Sequence, residues 1–386
     1  MKTKSSFRST LLISLVSLLI ATFAVGCDAN DTTEVEEGGD RVLIVANGGN
    51  FGDQNGSLTQ YNLVSKVARS LTTLDAFAQS VTINDGMAYV ALNTFTVGRI
   101  AIVDVANGAI IRQISDVPAP RSIAITADGI LLAPNLSPFG EDGPETSTVS
   151  IVQPGGGQPG DEAPRVGLYP EGVVIFGGSA YVANSGNIGD GTTLSVVDLS
   201  SFSTIGEIEL GCDGPNEIFL DADSELVIVC EGKTVFSPDF TEILEQTNAK
   251  IIFVNPSTGL VTGRIELDTQ AGSGNQTQGA YYSDENEELY VLIDGFDQVL
   301  RIDTSTNSLV SIIDVPAAEG LTGLSAVAYD GVGETLYLGR FAAGPGGFPD
   351  YTSAGGVVGL DRSGIQVDRF RAGPAPSHIE IAVLIE

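Results

Sequence analysis

The stretch from residue 170 to residue 210 reads PEGVVIFGGSAYVANSGNIGDGTTLSVVDLSSFSTIGEIEL. It contains four short apolar runs, separated by glycine, asparagine, aspartate and serine: Val173–Phe176, Ala180–Ala183, Leu194–Asp198 and Ile205–Leu210. Apolar runs of this length, bounded by turn-forming residues, predict antiparallel strands. Because one four-stranded unit cannot bury both of its faces, we expect it to pack against further copies of itself.

Copies of this unit follow one another from Arg41 onward. The first copy begins at its second strand, Arg41–Ala46, and lacks an opening strand. One strand, His378–Leu384, is left over at the other end and is similar to the opening strands that begin near Pro120 and Pro215. If it completes the first copy, the repeats close into a ring with only short protected edges. We predict an all-β fold, a seven-bladed β-propeller of four-stranded antiparallel blades closed by the C-terminal strand joining the N-terminal blade; six or eight blades are the alternatives.

Two short motifs recur in these units. The second strands contain AYVALN (88–93), AYVAN (180–184), LYVL (289–292) and LYLG (336–339). The third strands end in an aspartate, at Asp104, Asp198, Asp303 and Asp361. These motifs resemble the YVTN-type β-propeller repeats of bacterial and archaeal surface-layer proteins, over nearly all of residues 41–386. The resemblance implies the fold but no single activity, because this family hosts many unrelated roles.

The recurring tyrosines and aspartates are predicted to be scaffold residues. A tyrosine in the second strand can fill the space between neighbouring blades. An aspartate at the end of the third strand can accept backbone N–H bonds and close the following turn. Since both recur in several units, we do not expect them to be catalytic.

The charge of the chain limits its partners. It has 18 basic and 49 acidic residues and a formal net charge of −31, which argues against nucleic acid and anionic membrane surfaces. After residue 26 the only lysines are Lys66, Lys233 and Lys250. Acidic, lysine-poor surfaces are typical of proteins from salt-accumulating organisms, where ionic strength screens the self-repulsion. An acidic extracellular protein from an ordinary host is the alternative.

The N-terminus predicts export and lipidation. A short basic segment and an apolar run, residues 1–26, predict a signal peptide. It ends in Ala24-Val25-Gly26-Cys27, which resembles the bacterial lipobox, although Ala24 stands where that pattern prefers leucine. The resemblance implies lipid attachment at Cys27; an ordinary signal peptide with a chance cysteine is the alternative. We expect residues 27–40 to form an acidic disordered tether. Residues 41–386 are expected to form the propeller. We expect a bacterial cell-envelope lipoprotein, anchored to the outer membrane or cell surface, with the membrane and leaflet left open.

Two cysteines remain in the predicted mature chain besides Cys27. Cys212 precedes an opening strand and Cys230 ends the next strand, and in an antiparallel pair these ends meet. An exported compartment permits a disulfide there. Two buried free thiols are the alternative.

A polar site is predicted at the mouth of the central channel, where the opening strands begin. The candidate residues are Gln79, Arg121, Glu171, Asn216, Glu217, Gln278, Ser325 and His378. Simple solvation of these rim residues is the alternative interpretation.

A second group of candidates lies in long loops between second and third strands, because binding residues concentrate in loops on a rigid scaffold. They are Asn50, Asp53, Asn187, Asp190, Phe341, Phe348 and Tyr351. The Asp and Asn residues offer oxygen ligands for Ca²⁺, but their spacing does not match an EF-hand, and Asx-Gly turns explain them equally. Otherwise no cofactor or metal is expected, since a single histidine cannot form a zinc or iron cluster.

Catalysis has little support in the sequence, which contains no nucleophile elbow and no phosphate loop. We therefore expect a non-enzymatic scaffold that binds a small molecule or an envelope protein through its long loops and channel mouth. One alternative is an enzyme that resembles propeller lactonases, using Arg121, Glu171 and His378. Another is a surface protein for capture of a corrinoid-like cofactor, a resemblance that rests on the lipobox, the tether and the repeats.

Overall fold

Antiparallel strands follow one another along the whole described part of the chain. The computed structural model describes residues 39–94, 97–136, 147–160, 163–187, 189–272, 278–293 and 295–384. The predicted signal peptide, Cys27 and the tether up to residue 38 lie outside these residues. No helix among the residues described is long and apolar enough to cross a membrane.

The strands form seven blades, as predicted. Blade 1 consists of β1 (Arg41–Asn47), β2 (Ser57–Asn62), β3 (Val67–Thr73) and β30 (Pro376–Val383). Blade 2 consists of β4 (Phe77–Asn84), β5 (Met87–Asn93), β6 (Arg99–Asp104) and β7 (Ile110–Ile114). Blade 3 consists of β8 (Ala124–Ile125), β9 (Leu131–Asn135) and β10 (Thr148–Val152). Blade 4 consists of β11 (Pro170–Phe176), β12 (Ser179–Asn184), β13 (Thr193–Asp198) and β14 (Ser203–Glu209).

Two of the last three blades, blades 5 and 7, carry additional short elements. Blade 5 consists of β15 (Pro215–Leu220), β16 (Leu226–Cys230), β19 (Lys250–Asn255) and β20 (Leu260–Glu266), with a separate hairpin of β17 (Thr234–Phe236) and β18 (Ile243–Gln246). Blade 6 consists of β21 (Ala280–Ser283), β22 (Glu288–Leu292), β23 (Gln298–Asp303) and β24 (Ser308–Asp314). Blade 7 consists of β25 (Leu321–Asp330), β26 (Thr335–Ala343), β28 (Ala354–Leu360) and β29 (Gln366–Pro374). A 3₁₀ turn (Pro345–Gly347) precedes β27 (Pro349–Asp350), which pairs with β26.

The two chain ends close the ring in blade 1, which confirms the prediction. Strand β30 pairs antiparallel with β1, and Val45 stands opposite Ile379 while Leu43 stands opposite Ile381. The first unit lacks an opening strand of its own, and the last strand of the chain takes that place. Both long edges of β1 are therefore paired.

The core lies between blades. Seven clusters of buried apolar side chains each combine residues of two neighbouring blades, so that every blade packs against both of its neighbours around the ring. The recurring tyrosines belong to these contacts: Tyr181, Tyr290 and Tyr337 are buried, and the Tyr181 hydroxyl donates to the carbonyl of Pro256 in blade 5. Their predicted role in packing between blades is confirmed.

The recurring aspartates close turns, also as predicted. The Asp198 carboxylate accepts the backbone N–H groups of Ser200 and Ser201, at 3.1 and 2.7 Å. Asp361 accepts the N–H of Ser363 in the same way. Hydrogen bonds from the two serines lower the pKa of Asp198 to about 2.

Three local features differ from the sequence prediction. The repeat pattern predicts Arg165–Leu168 as the fourth strand of blade 3, but this segment makes only an isolated bridge between Arg165 and Thr148. The pattern predicts Ser122–Thr126 as the opening strand of that blade, but the strand has only two residues, Ala124–Ile125. The pattern predicts Glu231–Ala249 as a long loop, but this segment contains the hairpin of β17 and β18.

The ring has two distinct faces. We call "loop face" the side that carries the connections between second and third strands, including residues 48–56, 185–192, 231–249 and 344–353. We call "turn face" the opposite side, where tight turns such as residues 85–86 and 177–178 join first to second strands. The described chain enters β1 from the turn face, where Arg41 pairs with Asp330.

Candidate functional site

Seven of the eight predicted channel-mouth residues surround one small cavity on the loop face. The cavity measures 50 Å³, and the predicted residues that line it are Gln79, Arg121, Glu171, Asn216, Glu217, Gln278 and His378. They converge because each blade places its opening strand innermost, and the first residues of that strand reach the loop face. A cavity of this size accommodates water or a single polar group of a ligand, not a whole organic molecule.

Arg121 and Glu171 form an ion pair in the wall of this mouth. The Arg121 Nε lies 2.6 Å from Glu171 Oε2, and the two side chains are 8% and 12% exposed. Hydroxyl groups fix the backbone beneath them, because Ser80 donates to the Arg121 carbonyl and Ser122 to the Glu171 carbonyl. Burial raises the pKa of Glu171, and the attraction of Arg121 opposes that shift.

Glu217 is a second carboxylate in the same mouth. Its Oε1 accepts the backbone N–H of Gly279 at 2.9 Å. Burial raises the pKa of Glu217, the Gly279 N–H and the charge of His378 oppose the rise, and Glu171 and Glu380 add to it. His378 in turn lies 3.0 Å from Glu380, measured from Nε2 to Oε1. Two carboxyl groups with raised pKa and an imidazole therefore face the same space.

Ser325 is the predicted mouth residue that the structure places elsewhere. Its side chain is fully buried and does not line the cavity. Close to it in sequence, Val327 donates its backbone N–H to the Oε1 of Gln278 at 3.2 Å, and the same oxygen accepts the N–H of Ile379 at 3.0 Å. This amide bridges blades 7 and 1 in front of the opening of β25, where an irregular register separates Thr322 from Ala326.

Several loop candidates meet in an apolar groove between blades 7 and 1. The groove measures 310 Å³, and Asn50, Phe348 and Tyr351 line it together with Pro345 and Pro349. Phe348 is 75% exposed and Tyr351 39%. Phe341 lies beneath rather than in the groove: it is 2% exposed and its ring packs edge-on against Tyr351, with centroids 5.1 Å apart.

The remaining loop candidates are exposed and do not line the groove or the mouth. Asn50, which does line the groove, also closes a turn, since its Oδ1 accepts the N–H groups of Gly52 and Asp53 at 2.8 and 3.2 Å. Asp53, Asn187 and Asp190 are exposed to solvent. Within the described ranges no three His, Cys, Asp or Glu side chains come together as a metal site. The loop that follows Asn135 lies largely outside the described residues, which omit 137–146.

A larger cavity on the loop face was not predicted. It measures 690 Å³ and lies between blades 4 and 5, above the segment that joins β14 to β15. Its wall includes Lys250 and Cys212, and the structure contains a disulfide between Cys212 and Cys230 with their Cα atoms 6.2 Å apart. One signal for this site was present in the sequence, because two of the three lysines after residue 26, Lys233 and Lys250, flank the same long loop.

Comparison with known proteins supports the fold only. No protein-family model matches the sequence, and no curated protein matches it. Among solved structures, hydrazine synthase of Kuenenia stuttgartiensis is similar at 16% identity and a TM-score of 0.58, covering 80% of this chain and 95% of its own. A hypothetical selenium-binding protein from Sulfolobus tokodaii is 13% identical with a TM-score of 0.59, covering 89% and 93%. A putative 6-phosphogluconolactonase from Bacteroides fragilis is 12% identical with a TM-score of 0.59, covering 92% and 99%. At these identities the shared feature is the β-propeller.

Proposed function

We propose that this protein is an exported, lipid-anchored cell-surface β-propeller that binds a small molecule through its loop face and does not catalyse a reaction. One observation carries the proposal: the polar mouth, the aromatic groove and the 690 Å³ cavity all open on the loop face. Concave sites of a few hundred Å³ with a few placed polar groups are where small ligands usually bind.

The path of the chain supports an accessible loop face. The chain enters the propeller at Arg41 on the turn face. The segment that precedes residue 39 is therefore joined to the propeller on the face opposite to the three cavities. The proposed anchor is tested by a Cys27→Ala variant, which should lose lipid labelling and membrane association while the propeller still folds.

The ligand role is tested by thermal denaturation of residues 28–386 against a broad metabolite and cofactor library that includes corrinoids. A ligand of the groove should raise the Tm, and a Phe348→Ser/Tyr351→Ser variant should lose that rise. Val332→Ser is the matched control, because Val332 is 67% exposed but lies on the turn face. A library without any stabilising compound would contradict the small-ligand role and leave binding of an envelope protein.

A lactonase-like enzyme is the second candidate, and the channel mouth is the observation that favours it. Glu171 and Glu217 have raised pKa values and share the mouth with His378, an arrangement suited to general acid–base catalysis. An enzyme of this kind should hydrolyse a lactone and lose that activity in Glu171→Ala or His378→Ala variants that remain folded. Hydrolysis that is absent in the wild type, or unaffected by both substitutions, would rule this candidate out.

A further inference from the structure

The 690 Å³ cavity between blades 4 and 5 has walls that are fixed at several points. The disulfide of Cys212 attaches the segment between β14 and β15 to the end of β16. The backbone N–H of Gly232 donates to the Asp213 carbonyl at 3.0 Å. On the opposite wall, Thr247 and Lys233 exchange two hydrogen bonds at the base of the β17–β18 hairpin, both of 2.9 Å. A cavity with fixed walls binds a ligand with little ordering cost.

The walls of this cavity carry charges of both signs. Lys250 is the single cation of the lining, and its Nζ lies 3.3 Å from the Gly211 carbonyl and 3.5 Å from Glu266 Oε1. The Glu266 side chain is 65% exposed, so this ion pair is weak and leaves the ammonium able to bind another carboxylate. Three further carboxylates line the cavity, and within the described chain none has a cation within 4 Å: Glu209, Asp213 and Asp268.

The rest of the lining is suited to a small polar organic molecule. Buried Cys212, Ala249 and Leu267 contribute apolar surface. The amides of Gln246 and Asn248 and the hydroxyls of Thr192 and Thr247 contribute hydrogen-bonding groups. The volume falls within the usual range of roughly 300–1,000 Å³ for small-molecule sites.

We infer that this cavity binds a dipolar ligand of net positive charge, namely a basic amino acid or a short peptide with a basic side chain. Lys250 binds the ligand carboxylate. Glu209, Asp213 and Asp268 bind its ammonium and its basic side chain. This inference rests on the proposed role of the loop face in ligand binding and assigns a ligand class to one part of it.

The test uses L-arginine as the probe, titrated calorimetrically into residues 28–386 at low ionic strength. Two analogues each lack one charged group: agmatine has no carboxylate, and 5-guanidinopentanoate has no α-ammonium. Each missing charge-assisted contact should weaken binding about tenfold or more. Lys250→Met should weaken L-arginine and 5-guanidinopentanoate by a similar factor and should not weaken agmatine. Asp213→Asn should weaken agmatine as well as L-arginine, because both carry two cationic groups for the three carboxylates.

The matched control is Lys66→Met. Lys66 lies between β2 and β3 of blade 1 and does not line this cavity, so its substitution should not change binding. The Tm of each variant verifies folding. The inference is overturned if L-arginine does not bind, if agmatine binds as tightly as L-arginine, or if Lys250→Met has no effect. A library ligand that depends on Phe348 and Tyr351 would still support the proposed function after such a failure, so the two outcomes are distinguishable.

Discussion

The carboxyl group of Glu217 is buried in the channel mouth, and this burial is the main cause of its raised pKa. The native state therefore binds this proton more tightly than the unfolded chain does. Its contribution to stability is complete below the ordinary Glu pKa of about 4.3 and is lost as the pH rises through the raised value. At neutral pH the raised pKa therefore makes this carboxyl group a cost to the fold, as is common at binding sites.

Substitution of Glu217 should reveal this cost. A Glu217→Gln variant keeps an oxygen for the Gly279 N–H and removes the charge, so we expect a higher Tm than the wild type at pH 7–8. The difference should shrink toward zero near pH 4, where the wild-type carboxyl is protonated. Paired melting curves across this pH range are the measurement, and a variant that is less stable than the wild type at pH 8 would contradict the assignment.

The sequence was sufficient to predict the positions of individual residues where those positions follow from strand register. The mouth residues, the tyrosines and the turn aspartates could be predicted because each occupies a fixed position in a repeated unit. The burial of Ser325 could not, because Ser325 lies in the irregular stretch of β25 between Thr322 and Ala326, where the repeated register is broken. Asn47 and Asn184 were also missed: each ends a second strand and donates to two hydroxyls at the start of the third strand. The Ser/Thr-x-Ser/Thr pattern of those third strands was the available signal.

Blade 5 has a covalent link between two of its elements. The disulfide joins the segment before β15 to the end of β16, across a sequence separation of 18 residues. Closing a loop of this length in the unfolded chain is worth about 3 kcal/mol in the chain-entropy treatment. The link also fixes one wall of the cavity assigned above.

Removal of this link should lower stability by about 3 kcal/mol in a Cys212→Ser/Cys230→Ser variant. Reductant should destabilise the wild type by a similar amount and have no effect on the variant. Urea unfolding with and without reductant provides the measurement, in chains that begin at residue 28. Two thiols that react in the denatured wild type without reductant would show that the cysteines are unpaired.

Elements outside the repeat were the ones that sequence periodicity missed. The hairpin of β17 and β18 lies inside a long connection, and its two strands have only three and four residues. Its large side chains Phe236, Phe240 and Ile243 are exposed rather than alternating between a core and solvent. Without a buried face, no alternation exists to predict such strands. Arg165–Leu168 is the opposite case: the repeat pattern predicts a strand there, but none of its four residues is buried and it forms only a single bridge.

The whole ring depends on its last strand. Strand β30 pairs with β1 over seven residue positions and buries Ile379 and Ala382. Deletion of residues 376–386 should lower the free energy of unfolding by about 5 kcal/mol or more, a large part of what holds an ordinary domain folded. Addition of a peptide of residues 374–384 should restore part of the lost Tm. A truncated chain as stable as the full one would contradict ring closure by this strand.

The net charge of −31 also acts on the molecule as a whole. Salt shortens the Debye length from about 10 Å at 0.1 M to about 3 Å at 1 M, which reduces repulsion among surface carboxylates. We expect the Tm to keep rising between 0.1 and 1 M KCl if the protein is adapted to a salt-accumulating host. A Tm that does not increase over this range would contradict that adaptation.

The pairing of β30 with β1 has a further consequence for the synthesis of the protein. The strand that pairs with the free edge of β1 is made after every other strand of the ring described here, because residues 376–383 follow all of them in the sequence. Until those residues emerge, β1 keeps an open backbone edge that other chains can pair with. A nascent chain that stops early cannot complete the ring, whatever the state of its other blades. Closure of the propeller therefore requires that translation has passed residue 383.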